Sequence, residues 1–255
     1  MEIVNGKICP IGPIRQIDRW SVADISAMNL RVDKTANIVA IDGPAGAGKS
    51  AVARRLAQRL GYAFLDTGAM YRAATWRALK SGVDLDDPAA TAESTRAMRL
   101  DMNECESGLQ VVVDGQDVTE AIRSPEVTRV IYKLDENPDV RAHLVALQRA
   151  FASKRPTVAE GRDMGTVVFP EAKCKIFLDA SIEERARRRA AELREKGLKV
   201  DMDALLEEIR VRDEKARTRA VAPLRRADDA TLLDTTRLTM DEVVDKVMDL
   251  ARSAT

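Results

Sequence analysis

Gly43-Pro44-Ala45-Gly46-Ala47-Gly48-Lys49-Ser50 fits the pattern G-x-x-x-x-G-K-[ST] at every fixed position. Glycines in such a stretch let backbone N–H groups turn toward an anion without a Cβ in the way. Lys49 then supplies a point charge to the β- and γ-phosphates of a triphosphate, and the Ser50 hydroxyl ligates Mg²⁺. Only four positions are fixed, so the flanks decide. Before the loop lies Asn37-Ile38-Val39-Ala40-Ile41-Asp42, an apolar run of strand length. After it, Val52, Ala53, Leu56 and Leu60 recur at helical spacing, and Gly61 stands where a helix would stop. Strand, glycine loop and helix together are the setting that a triphosphate-binding loop requires, with the helix amides aimed at the same anion. The plain alternative is a glycine turn between two buried elements with Lys49 merely solvated.

The strand–helix alternation continues outward from this loop. Further strands are predicted at Ala63–Asp66, Thr157–Glu160, Lys175–Asp179 and Ala230–Leu233. Ser181-Ile182-Glu183-Glu184 and Thr239-Met240-Asp241-Glu242 read as capping boxes, the first opening a long helix that ends near Gly197. Asn137-Pro138 reads as a cap and first-turn proline. Behind it Val140, Leu144, Leu147 and Phe151 form an apolar stripe suited to core packing. Five strands alternating with helices predict an α/β fold of three layers, a parallel sheet covered on both faces. Ligands in such folds bind beyond the carboxyl ends of the strands.

Two stretches interrupt the rhythm. Gln110–Val113, Asp114-Gly115 and Gln116–Val118 predict a β-hairpin inside an inserted subdomain at about 83–125. Residues 199–226 are helical in pattern and dense in arginine, including Arg210, Arg212, Arg217, Arg219, Arg225 and Arg226. They read either as a solvated face paired with Glu207, Glu208 and Asp213 or as a mobile arginine lid. Residues 1–36 carry Pro10 and Pro13 and no clear period. They are expected to form an N-terminal extension, disordered or docked on the surface, with a short helix near 21–30.

Composition narrows the classes. The 255 residues hold 41 Lys plus Arg against 41 Asp plus Glu, and a net charge of zero argues against a general nucleic-acid binder. Apolar content is 45% and charged content 32%, as in a soluble enzyme. No apolar run approaches the ~20 residues of a membrane span, and no secretory signal is read at the N-terminus. Cys9, Cys105 and Cys174 lack metal-binding spacing and suit a reducing cytoplasm, with Cys174 read as buried packing. His143, the one histidine, is expected at the surface, which leaves little room for histidine-based nucleophilic catalysis.

A glycine loop alone does not separate a kinase from a GTPase or motor. The chain has no convincing Asn-Lys-x-Asp guanine-reading segment, which counts against a GTPase. Arg72 follows Asp66-Thr67-Gly68-Ala69-Met70-Tyr71, and Arg162 and Asp163 follow Glu160-Gly161, each beyond a candidate strand end. Arginines converging on one sheet edge suit a second, acceptor phosphate.

Taken in order, IDGPAGAGKS, LDTGAMYR, DGQDVTEAIRSPEV, EGRDMGTVVFP, KIFLDAS with EERA and RR, and RDEKARTRAVAPL resemble the bacterial-type cytidylate kinases over residues 37–255. The resemblance implies a three-part nucleoside monophosphate kinase, with a core sheet, a monophosphate-binding insert and a helical lid at about 187–226. It implies transfer of the ATP γ-phosphoryl group to CMP or dCMP with Mg²⁺, by a cytoplasmic monomer. Lys49, Arg162 and Arg219 would be catalytic. Arg72, Arg162 and Arg219 would face the phosphates, Arg141 and Asp163 the pyrimidine, and Arg212 the ribose side. Thr67 and Tyr71 would line the acceptor pocket. A carboxylate at 163 accepts from the exocyclic amine of cytosine, a donor that uracil lacks. The plain alternatives are an Arg162–Asp163 ion pair and packing for Tyr71. Two positions depart from the family pattern. Ala216 stands where many members carry an acid near the sugar, which bears on CMP against dCMP. Glu160 stands where many carry Asp, and the longer carboxylate would act on Mg²⁺ through a water.

Overall fold

The structure, a computed structural model, describes residues 37–254 apart from 106, 107 and 196. The extension, its expected short helix and Cys9 lie outside the described residues. Along the chain run β1 (Ile38–Asp42), α1 (Lys49–Leu60), β2 (Ala63–Asp66), α2 (Thr67–Lys80), α3 (Pro88–Arg96), β3 (Leu100–Cys105), β4 (Gly108–Val113) and β5 (Gln116–Asp117). Then follow α4 (Pro125–Val130), α5 (Tyr132–Asp135), α6 (Pro138–Ala152), β6 (Thr157–Gly161), β7 (Cys174–Asp179), α7 (Ile182–Glu195), α8 (Met202–Thr218), β8 (Thr231–Asp234) and α9 (Met240–Ser253). They fall into two compact units, one of residues 69–135 and one of residues 37–68 with 136–254. The insert expected at 83–125 lies within the first.

The larger unit is built on a five-stranded sheet in the order β2-β6-β1-β7-β8. All four pairings are parallel, with Asp42 opposite Gly161 and Phe177. This is the α/β sheet that the alternation predicts. Every residue of β1 and of β6 is buried, as expected of strands covered on both faces. The chain passes from β1 to β2 on one side and returns to β7 on the other, so the crevice outside the carboxyl ends of β6, β1 and β7 lies where the strand order reverses. The apolar residues of α1 seen in the sequence, Val52, Ala53 and Leu56, face the core with at most 1% exposure. Val140 and Leu144 of α6 are likewise buried, and Cys174 is buried.

Caps set the helix ends. The Asn137 side chain accepts from the amides of Asp139 and Val140, and a reciprocal capping box joins Thr239 to Glu242. At Ser181 only half of the expected box forms. Its hydroxyl accepts from Glu184 N at 3.2 Å, while its own N–H donates to Thr236 Oγ1 at 2.9 Å. The Glu184 carboxylate is turned instead onto Arg187 and Arg188, which hold it down at about 2, below the usual carboxylate range. Beyond α7, Leu198 N donates to Leu193 O at 3.0 Å and Gly197 N to Arg194 O at 2.9 Å, closing the helix as the sequence predicts.

α7 and α8 pack through Ala186, Ala190, Leu205 and Ile209. A buried ion pair crosses the same contact, from Arg185 to Asp213 at 2.7 Å. Asp213 therefore does not serve as a surface partner of the α8 arginines. Arg210 does find Glu207, one turn back at 3.7 Å, both half or more exposed, a pairing worth little in water.

The smaller unit holds the antiparallel sheet β3-β4-β5. The hairpin turns where the sequence predicts it, with Asp114 and Gly115 at φ 51° and 85°. Asp114 is fixed by Arg99 N at 2.9 Å and by Arg77 Nε at 2.7 Å. Strand β3 is not foreshadowed in the sequence, because Leu-Asp-Met-Asn-Glu-Cys shows no clean alternation. Its pairing with β4 makes it a strand.

Candidate active site

The glycine loop leaves the carboxyl end of β1, in the middle of the sheet. A Cβ on Gly43 would fall 2.0 Å from Leu178 O on neighbouring β7, so only glycine lets the chain turn there. Gly48, at φ 89°, opens α1 in the left-handed region. Lys49 Nζ donates to Pro44 O at 2.8 Å, closing the loop on itself. Burial lowers the Lys49 pKa from the usual lysine range. Glu160 and Asp42 work against that fall, and Arg162 and Arg212 reinforce it. Four charged groups thus gather about one ammonium.

Ser50 Oγ donates to Glu160 Oε1 at 2.6 Å. Burial, with the adjacent Asp66 carboxylate, pushes the Glu160 carboxyl up to about 7 against the pull of Lys49 and Ser50. A hydroxyl and two carboxyls make a hard oxygen set, the chemistry of a Mg²⁺ site rather than of a soft metal. Among the described residues no cluster of three or more His, Cys, Asp or Glu could hold a metal alone.

Beyond β6 the chain runs through Arg162 and Asp163 into a π-helical turn, Met164–Val168. Asp163 forms an ion pair with Arg141 of α6, and both are nearly sealed from water, at 4% and 5% exposure. The pair joins two residues that the resemblance assigns to one base. Thr67 Oγ1 donates to Glu160 O at 2.8 Å, fixing the start of α2 against β6. Arg219 ends α8, 8% exposed, with Nε donating to Ala222 O at 2.7 Å. Ala216, one turn earlier, is buried.

Tyr71 and Arg72 belong to the smaller unit. There Tyr71 is buried, and Arg72 donates to Thr128 Oγ1 at 2.8 Å and to Ile122 O at 3.2 Å. His143 is half-buried rather than fully at the surface.

Four residues of this region escaped the sequence reading. Asp42 closes β1 and is buried, and Asp66 touches Glu160. Arg185 and Arg188 of α7 reach the glycine loop itself, donating to Ala45 O at 3.1 Å and to Ala47 O at 3.4 Å. An acid ending an apolar strand directly before a glycine was a signal for Asp42. Nothing in the local pattern distinguishes Arg185 from the other arginines of its helix.

The sequence-family model for cytidylate kinase matches residues 39–253. A cytidylate kinase from Geobacillus sp. (strain WCH70) is 48% identical over 212 residues, covering 83% of this chain and 95% of the relative. One from Vibrio cholerae serotype O1 is 49% identical over 218 residues, covering 85% and 96%. Among solved structures, the shikimate kinase from Acinetobacter baumannii aligns over 86% of this chain and 95% of its own at 18% identity and a TM-score of 0.39. The fold assignment rests on the sheet topology, and the family on the sequence matches: the chain belongs to the cytidylate kinase family.

Proposed function

We propose that this kinase transfers the γ-phosphoryl group of ATP to CMP or dCMP, giving CDP or dCDP and ADP within pyrimidine nucleotide metabolism. One observation carries the site reading: the glycine loop and the Arg162–Asp163 segment leave the carboxyl ends of adjacent parallel strands, β1 and β6. Donor and acceptor phosphates bound at those two ends would meet above one edge of the sheet.

In this reading the loop from Gly43 to Ser50 cradles the ATP phosphates, with Lys49 on their outer oxygens. Mg²⁺, when bound by Ser50 and through a water by Glu160, neutralises charge on the β- and γ-phosphates. Arg162 and Arg219 stabilise the charge that spreads over the transferring oxygens, and Arg72 holds the acceptor phosphate. Burial opposes the charge on the Lys49 ammonium, and phosphate oxygens entering beside it restore the balance, so nucleotide binding and lysine charge support each other. Asp163 accepts from the cytosine amine while Arg141, its ion-pair partner, holds the carboxylate in place. Arg212 faces the sugar, and Thr67 and Tyr71 line the acceptor pocket. No strong general base is required, since the chemistry is positioning and electrostatics. The segment 187–226 acts as a lid that excludes water from the phosphates.

The reading includes a monomer acting on small nucleotides in the cytoplasm, without nucleic acid. Cys174 is a buried free thiol. Among the described residues no helix is long and apolar enough to cross a membrane. Product analysis tests the proposal. Purified protein with ATP, Mg²⁺ and CMP should yield CDP and ADP in equal amounts, and chelation by EDTA should stop the reaction. ADP formed at the same rate without CMP would defeat the reading.

A further inference from the structure

Asp42 stands where the two halves of the proposed site part company. It is the last residue of β1, directly before Gly43, and lies opposite Gly161 of β6. Past this point one chain becomes the ATP-binding loop and the other carries Arg162 and Asp163. The Asp42 carboxylate spans the gap. Oδ1 accepts from Met164 N at 2.7 Å and Oδ2 from Gly165 N at 2.8 Å, the two amides that follow Asp163. The side chain is 4% exposed.

The fit is close on the other side too. A Cβ on Gly165 would lie 3.4 Å from Asp42 Oδ2 and 3.2 Å from Lys175 Cδ. The first is ordinary van der Waals contact, so a methyl group at 165 would press on the Lys175 stem before it pressed on the carboxylate. Burial pushes the Asp42 carboxyl up to about 6 against the pull of these two amides and of Lys49. An apolar residue in its place would leave two buried backbone donors unpaired. A bidentate carboxylate on two consecutive amides instead fixes both the distance and the angle of a turn.

We propose that Asp42 is a positioning residue of the acceptor site, which sets the Arg162–Asp163 segment in place from the base of the ATP-binding loop. Asp42 touches neither nucleotide. It acts through the backbone of Met164 and Gly165, so its removal displaces Asp163 and Arg162 relative to the bound monophosphate. The effect falls on CMP and on base choice more than on ATP.

This inference rests on the kinase reading, and wild-type CMP-dependent turnover tests that reading separately. The inference itself is read from ratios between variants and wild type. In Asp42→Asn one oxygen is replaced by a carboxamide NH₂ that donates and cannot accept, leaving one of the two backbone amides facing a donor. The expected result is a rise of about tenfold or more in the KM for CMP and a smaller preference for CMP over UMP, with the KM for ATP changed less than about threefold. Asp42→Glu keeps the charge beside Lys49 but lengthens the reach to the two amides, and should give the same signature.

A rise in the KM for ATP with the KM for CMP unchanged would overturn the proposal and make Asp42 a countercharge of Lys49. Equal losses for both substrates, in step with a lowered melting temperature, would overturn it in favour of a purely structural role. If Asp42→Asn does not fold, Asp42→Glu alone decides: an unchanged KM for CMP in that variant refutes the proposal.

Discussion

In the proposed reading the buried Arg141–Asp163 pair joins stability to base recognition, so its removal makes a two-part prediction. Both side chains are at most 5% exposed. Changing Arg141→Met leaves the Asp163 carboxylate buried without its ion-pair partner, a change that costs about 3–5 kcal/mol. In a domain of this size each kcal/mol lowers the midpoint by about 2–4 °C, so melting should fall by roughly 6–20 °C. Adding Asp163→Leu removes the stranded charge. Apolar replacement of a whole buried pair is often neutral or stabilising, so the double variant should recover to within about 1–2 kcal/mol of the parent. Urea unfolding followed by circular dichroism at pH 7 measures both steps as shifts in midpoint at constant slope. Recovery of fold should not bring recovery of function. The double variant lacks the acceptor for the cytosine amine, a hydrogen bond to a charged group worth about 1.5–3 kcal/mol, so kcat/KM for CMP should stay roughly 10–100-fold down. A single variant within about 1 kcal/mol of the parent would refute the burial argument, the threshold lying below the ~3 kcal/mol floor expected for a broken buried pair. A double variant with full CMP discrimination would refute the role of Asp163.

Other perturbations have equally definite outcomes. Lys49→Ala should lower turnover by about 10²–10³ or more in a coupled ADP assay, since a charge contact of the transition state is lost, and near-normal turnover would remove Lys49 from the mechanism. Arg185→Met leaves Asp213 buried and unpaired and frees Ala45 O. It should cost about 3–5 kcal/mol in urea unfolding and raise the KM for ATP. Glu160 titrates at about 7 in the folded chain against an ordinary 4.5. An acid raised in this way binds its proton more tightly when folded, so its stabilising effect is complete below 4.5 and is lost as pH rises through 7. Substrate-free protein should therefore lose up to about 1.4 kcal/mol per pH unit across that window, and Glu160→Gln should flatten the curve. If position 216 lies beside the sugar, as the family resemblance implies, Ala216→Asp should raise the ratio of kcat/KM for CMP over dCMP, measured with both acceptors.

The parts of the fold that were readable in advance are those written in local chemistry. Short apolar runs marked all five strands of the parallel sheet to within a residue or so, most plainly β1 and β6, which are buried on both faces and show as continuous runs, while β8 at the sheet edge is largely exposed. Asp114-Gly115 marked the hairpin because few residues accept the left-handed backbone it needs. The glycine loop carried its ligand chemistry in its own eight residues. Contacts between distant segments were not readable. Strand β3 exists through its partner, not its pattern. Arg185 looks like any other arginine of α7 until Asp213 and Ala45 are seen around it. The Ser181 box was half right because Thr236, from beyond β8, took the amide that Glu184 would have held. Asp42 reads in the sequence as the end of a strand, and only the returning turn at Met164 and Gly165 shows what its carboxylate does.

The central claim is that the two phosphate-binding loops at the ends of β1 and β6 serve ATP and a cytidine monophosphate. An acceptor panel tests it most directly: ADP formation from ATP and Mg²⁺ with CMP, dCMP, UMP or AMP as the second substrate. Efficient turnover of CMP and dCMP is predicted, with UMP at least about tenfold weaker in kcat/KM for want of the amine that Asp163 accepts, and AMP at background. ATP binding without acceptor-dependent ADP formation, or turnover of UMP or AMP with none of CMP, would contradict it.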